Sequence, residues 1–262
     1  MQIGTIESVW RYPVKGMRGE ELPHVYTAYT GVMGDRIYAV AAADGDPGHP
    51  WHTGRNQEEF VLYKASYHCS EDLLLPPNLD ATYSEWEPGI EPLYPDADAF
   101  KVSVETLEGV TYDSIENPAF IEDLEKLTGR SLRIHYTQRG IFDARPVSLI
   151  SPAVATKLGE ELGMHIDKRR FRANFYVDWD NQEDPFYEMS LVGKTLKIGE
   201  WLELMIVERD PRCEMITLDP DTAEETPRLL QHLARKHNGD AGVFGAVLKR
   251  GRVNKGDPVT LV

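Results

Sequence analysis

Cysteine is nearly absent: Cys69 and Cys213 are the only two in 262 residues. So isolated a pair makes no disulfide framework, and no Cys-x-x-Cys motif is present to hold zinc or an iron–sulfur cluster. Such usage fits a reducing cytoplasm. Long apolar runs are also missing. No stretch reaches the roughly 18–20 residues a membrane helix needs. Residues 1–10 lack the basic and apolar regions of a secretory signal, so the chain is expected to be used as made. Basic residues are scarce, 28 Lys and Arg against 43 Asp and Glu, for a net charge of −15. That disfavours general affinity for nucleic acid or an anionic membrane, both of which need a basic face. It leaves room for a small anion site where cations converge. There is no Walker motif, Gly-x-Ser-x-Gly elbow or His-Glu-x-x-His. The eight histidines show no metal-ligand spacing, which argues against a zinc site made by protein alone. Gly239, Gly242 and Gly245 precede a strand pattern instead of joining a strand to a helix, so they are not a dinucleotide fingerprint.

What is present is short, β-rich patterning. Residues 3–10, 36–42, 60–65, 101–104, 132–136, 174–177, 195–207 (broken at Gly199-Glu200), 243–248 and 258–262 read as strands. Gly, Pro and Asp clusters separate them, as in a barrel or sandwich. Three helices open with a capping residue followed by proline, at Asn117-Pro118, Ser151-Pro152 and Thr226-Pro227. They stop at Gly129, Gly163 and Asn238-Gly239. The stretch 72–98 has little periodicity and reads as a long excursion without an element of its own. The expected fold is β-rich α+β with a few short helices, and a boundary near residues 112–130 divides it into 1–115 and 116–262.

Cys213 stands in the run Arg209-Asp-Pro-Arg-Cys-Glu-Met-Ile-Thr-Leu-Asp-Pro-Asp-Thr222. Flanking arginines stabilise a thiolate, the form that attacks electrophiles or binds a soft metal. An inert buried thiol beside surface arginines is the alternative. Tyr12-Pro-Val-Lys15-Gly16 follows the first strand pattern and reads either as a surface lysine in a turn or as an anion cradle of cation plus bare backbone N–H groups. Gly34-Asp-Arg36 and Thr53-Gly-Arg55 add two turn arginines, whose planar forks suit phosphate. Lys168-Arg-Arg-Phe-Arg172-Ala-Asn174 is the densest basic run. It is a solvated face, a nucleic-acid contact disfavoured by the net charge, or a segment in which Arg172 and Asn174 alternate inward while their neighbours stay solvated. The acidic loop 178–184 lacks the glycine and terminal glutamate of a calcium loop and reads as solvated.

In this order, these pieces resemble the MOSC family, and within it the two-part, amidoxime-reducing branch with an N-terminal MOSC-associated β-barrel. The matching residues are Tyr12-Pro-Val-Lys15, Gly34-Asp-Arg36, Thr53-Gly-Arg55, Phe171-Arg-Ala-Asn174, Arg212-Cys213 and Asp219-Pro-Asp-Thr222. The ending 253–259 looks like the family's last strands. The resemblance implies an N-terminal barrel domain over 1–115, a MOSC domain over 116–262, and a bound molybdenum cofactor. Cys213 matches the molybdenum ligand, and a thiolate is a suitably soft one. Lys15, Arg36 and Arg172 match positions at the pterin and phosphate; Gly16, Arg55, Asn174 and Arg212 are placed beside them as further cofactor contacts. Gly16 stands where the amidoxime-reducing branch carries serine, and Ala173 where it carries proline. The resemblance implies an oxidoreductase for a small N–O or S–O substrate. A separate protein must bring electrons, because no cysteine set for an iron–sulfur domain exists, and the acidic chain suits a basic donor. A carrier that uses Cys213 to hold sulfur or the cofactor without redox turnover fits the same residues, and a retained scaffold for interactions is a third reading.

Overall fold

The computed structural model describes residues 1–69, 74–83 and 90–262. Seven strands close into a barrel. Phe175–Trp179 pairs with Val147–Ile150, which pairs with Asp240–Lys249, then Leu202–Pro211. Thr195–Ile198, Pro258–Leu261 and Gln2–Arg11 follow, and Gln2–Arg11 returns to Phe175–Trp179. The closing pair is antiparallel, with Ile6 opposite Val177 and Val9 opposite Phe175. Leu202, Leu204 and Ile206 show why the strands curl this way: every second residue is fully buried, so one face fills the lumen. Ile6, Val9, Leu149, Phe175, Val177 and Val243 complete that core.

A second core lies among three small sheets and gathers Met17, Val40, Phe60, Phe100, Phe120 and Leu124. The sheets do not respect chain order. Leu132–Tyr136 pairs with Tyr38–Asp46, Gly251–Asn254 pairs with His24–Ala28, and the first strand belongs to the seven-stranded barrel. Among the described residues no helix is long and apolar enough to cross a membrane.

Three expectations need correction. Residues 60–65 are not one strand: Glu58–Leu62 is a 3-10 turn and the strand is Lys64–Tyr67. The run looks strand-like because Phe60 and Val61 enter different apolar clusters, so it is apolar on both sides. The excursion 72–98 contains a helical turn at Leu79–Thr82 and leads into a 3-10 turn at Ala97–Phe100, while 72–73 and 84–89 lie outside the described residues. Thr226 makes no side-chain cap; its helix, Pro227–Lys236, starts on proline alone.

The other caps form as the sequence indicates. The Asn117 and Ser151 side chains accept from the N–H groups of Ala119 and Ala153 at 3.0 and 3.1 Å. Gly129 and Gly163 end the helices Pro118–Thr128 and Pro152–Leu162 in the left-handed region. The second start has a further support absent from any local pattern. Ser151 N–H donates to Glu188 Oε1 at 3.2 Å, and Trp179 Nε1 donates to Oε2 at 3.0 Å. Glu188 is fully buried, and burial outweighs these bonds, pushing its pKa up from 4.5 to about 7. The folded chain therefore holds this proton more tightly than the unfolded chain does. The stabilisation is full below pH 4.5 and is lost as pH rises through about 7. Urea unfolding across that window should show wild-type stability declining with pH and Glu188→Gln flattening the decline. An identical slope in both proteins would contradict the assignment.

Candidate functional site

The first strand leaves the barrel at Arg11 and runs straight into Tyr12-Pro13-Val14-Lys15. That segment lies along residues 35–38. Tyr12 N–H donates to Asp35 Oδ1 at 2.7 Å, Arg36 N–H to Tyr12 O at 2.6 Å and Lys15 N–H to Tyr38 O at 2.8 Å. The Lys15 N–H is thus satisfied and is not one of the bare backbone donors expected in this turn. Lys15 itself is buried, with Nζ 2.9 Å from Asp143 and 3.1 Å from the Ile141 carbonyl oxygen. Burial pulls its pKa down and Asp143 opposes that. Gly16 has a φ of +87°, and a Cβ there would sit 3.0 Å from Thr53 Cβ, so the turn has no room for a side chain.

Arg36 and Arg172 share an unusual backbone. Their φ values are 51° and 52°, the left-handed region that costs a non-glycine residue about 1–2 kcal/mol. Both guanidinium carbons lie 4.5 Å from the centroid of the Tyr12 ring. The first arginine bonds the Asp35 carboxylate, and its Nη2 donates to Arg172 O at 2.8 Å. Burial opposes the charge on Arg36, but Asp35 prevails and raises its pKa. Arg172 has no such carboxylate partner among the described residues. Its Nη2 is buried with no hydrogen-bond acceptor among the described residues, and burial followed by the Arg36 charge pulls its pKa down to about 10. Arg172 does not reach this position by strand alternation, since it ends the 3-10 turn Lys168–Phe171 ahead of the strand.

Arg212 knits three segments: Nε donates to Ala241 O at 2.6 Å, Nη1 to Phe171 O at 2.8 Å, and Nη2 sits 2.8 Å from Asp210. Gly242 leaves room for it, because a Cβ would meet Arg212 Nη2 at 2.9 Å and Leu149 O at 2.7 Å. Cys213 follows, exposed, at the start of the 3-10 turn Glu214–Thr217.

Lys15, Gly16, Arg36, Arg55, Arg172, Asn174, Arg212 and Cys213 all line one cavity of about 320 Å³. Seven cationic side chains line it against two carboxylates, in a chain of net charge −15. Not all eight are free to act. The Asn174 amide oxygen accepts from Ser148 N–H and Oγ at 3.2 and 3.3 Å, so this side chain holds the barrel seam. Arg55 bonds His49 at 2.6 Å.

Pattern reading missed three residues. Arg170 is buried, not solvated as expected, and donates to Thr217 O at 2.5 Å and Asp219 Oδ2 at 2.9 Å, tying the basic run to the Asp219-Pro220 turn. Asp143 gave no local signal. Asp210 stood three residues before Cys213 and was readable; burial pushes its pKa up to about 6 against the opposing charges of Arg212 and Arg36.

Residues 131–260 match the MOSC domain, and residues 3–107 match the MOSC N-terminal beta barrel domain. The chain belongs to the MOSC family. Mitochondrial amidoxime reducing component 2 of Bos taurus is 24% identical over 98% of this chain and 83% of that protein. Molybdenum cofactor sulfurase of Caenorhabditis elegans is 31% identical over 51% of this chain, which spans only 18% of the length of that relative. In overall structure the chain is similar to the YuaD protein from Bacillus subtilis, with a TM-score of 0.48 and 15% identity over 98% of this chain and 93% of that one.

The two thiols differ in surroundings. Cys213 is exposed, whereas Cys69 is half-buried, donates to Ala99 O at 3.1 Å and has its pKa raised by burial. Iodoacetamide should therefore label Cys213 at least about tenfold faster at neutral pH, since rate follows exposure and thiolate fraction. Equal labelling rates, read by mass spectrometry, would contradict this placement.

Proposed function

We propose that the chain is a molybdenum-cofactor oxidoreductase reducing N-hydroxylated or related N–O and S–O compounds, with Cys213 as the protein ligand to molybdenum. The observation that carries this is the cavity lined by both an exposed thiol and Arg172, whose buried Nη2 lacks an acceptor among the described residues. These residues fit the group. A thiolate is a soft ligand suited to a sulfur-bound metal, and an unsatisfied guanidinium donor suits a phosphate oxygen. Arg172 and Lys15 would hold the anionic end, with Arg36 fixing Arg172 through its backbone oxygen. Gly16, Arg55, Asn174 and Arg212 would shape the cradle around it.

When bound, the cofactor supplies the two-electron redox change. Reduction of an amidoxime to an amidine consumes two electrons and two protons and releases water. Asp210, whose carboxyl changes protonation near pH 6, is positioned in the cavity wall to exchange one of those protons. The electrons would come from a separate donor protein, and a cytoplasmic setting is part of the same proposal. The relative named amidoxime reducing component supports this reading across nearly the whole chain.

A carrier role for Cys213, without turnover, is favoured by the thiol's exposure and by the relative named molybdenum cofactor sulfurase. Benzamidoxime reduction with an artificial electron donor separates the two. Wild-type protein should turn over, and Cys213→Ser should lose more than about 100-fold, beyond what loss of a supporting residue causes. Cys69→Ser should keep full activity. Bound molybdenum without turnover in wild type would favour the carrier, and full turnover in Cys213→Ser would overturn the ligand assignment.

A further inference from the structure

The helices Pro152–Leu162 and Pro227–Lys236 pack against each other, and side chains near their C-terminal ends meet. There Glu161 Oε2 accepts from two imidazoles at once, His232 Nε2 at 2.7 Å and His237 Nε2 at 2.8 Å. We propose that Glu161, His232 and His237 form a second site that binds a zinc-type divalent cation and clips the two helix ends together. It does not depend on the proposed function of Cys213.

Geometry and donor chemistry both support this. The three ligand atoms lie within 4.8 Å of one another, and a tetrahedral zinc ion with ligands at about 2.0–2.2 Å holds its donors about 3.3–3.6 Å apart. An ion would therefore displace the two imidazole protons and open each N–O distance from 2.7–2.8 Å by about 0.5–0.9 Å. The three side chains are only 19–23% exposed, enough to order them and still admit an ion. Phe186 stacks on the His237 ring at 4.4 Å and fixes its plane. The nearby cation, Lys157, lies 3.7 Å from the other carboxylate oxygen, Oε1, and leaves Oε2 to the rings. Glu161 is already held as a carboxylate, its pKa drawn down to about 2, first by the bond from His237. Two imidazoles and one carboxylate suit zinc and leave a fourth position for water.

Sequence spacing hides this set. His232 and His237 are five apart, which on a continuous helix places them on different faces. The helix ends at Lys236, and His237 departs to φ −130° and ψ 24°, which swings its ring back beside His232. The expectation of no metal-ligand spacing concerns the sequence alone, and the proposed set is assembled by the fold.

Zinc titration of the metal-free full chain tests the site, with Cys213→Ser used to remove the competing thiol. Cys213→Ser should still bind one zinc per chain and melt at higher temperature with it. Adding Glu161→Gln or His232→Gln should weaken binding at least about tenfold. Imidazole nitrogen spectra of Cys213→Ser, in which Glu161 and both histidines are intact, should show two of the eight rings shifting with one equivalent of zinc. No binding in Cys213→Ser, equal binding in the histidine and glutamate variants, or no ring pair shifting would each overturn the proposal.

Discussion

The pairing of the first strand with Phe175–Trp179 is the contact on which the rest depends. It closes the barrel, and at its end Trp10 N–H donates to Asn174 O at 2.8 Å while the Asn174 side chain grips Ser148 on the next strand. Both strands then run out at the same rim. Tyr12 emerges from one and Arg172 precedes the other, so a residue near the start of the chain and one far along it meet at 4.5 Å. Without this closure Lys15 and Cys213 would belong to unconnected surfaces.

The rim also concentrates charge against the trend of the chain. Most of its cations are neutralised by design of the fold: Lys15 by Asp143, Arg36 by Asp35, Arg170 by Asp219, Arg212 by Asp210. Each pairing offsets part of the desolvation penalty that burial imposes. Among the described residues Arg172 is the exception, half-buried beside another arginine with its Nη2 buried, and held in a costly backbone conformation. An unpaired buried donor of this kind is what the anionic ligand of the proposed function would complete.

Local chemistry was legible in the sequence wherever a residue acts on its immediate neighbours. Asn117 and Ser151 announce helix starts, and the Asp219-Pro220 turn announces the end of the cysteine run. The cavity residues were found as scattered fragments whose union came from a family resemblance, not from spacing. What stayed hidden was set by long-range contact. Arg170 looked solvated until Thr217, nearly fifty residues on, received it. Phe60 and Val61 looked like strand because two cores claim them. His237 gave no ligand pattern because the helix stops one residue before it.

The central claim is that the cavity at the barrel rim binds an anionic molybdenum cofactor through Arg172 and its neighbours. Its most direct measurement is the molybdenum and pterin content of purified protein grown with molybdate, for wild type and for folded Arg172→Ala. The account predicts close to one pterin and one molybdenum per wild-type chain. Loss of a charge-assisted phosphate contact should cut pterin retention by about tenfold or more in the variant. Folded wild-type protein without pterin, or equal pterin in both proteins, would contradict it.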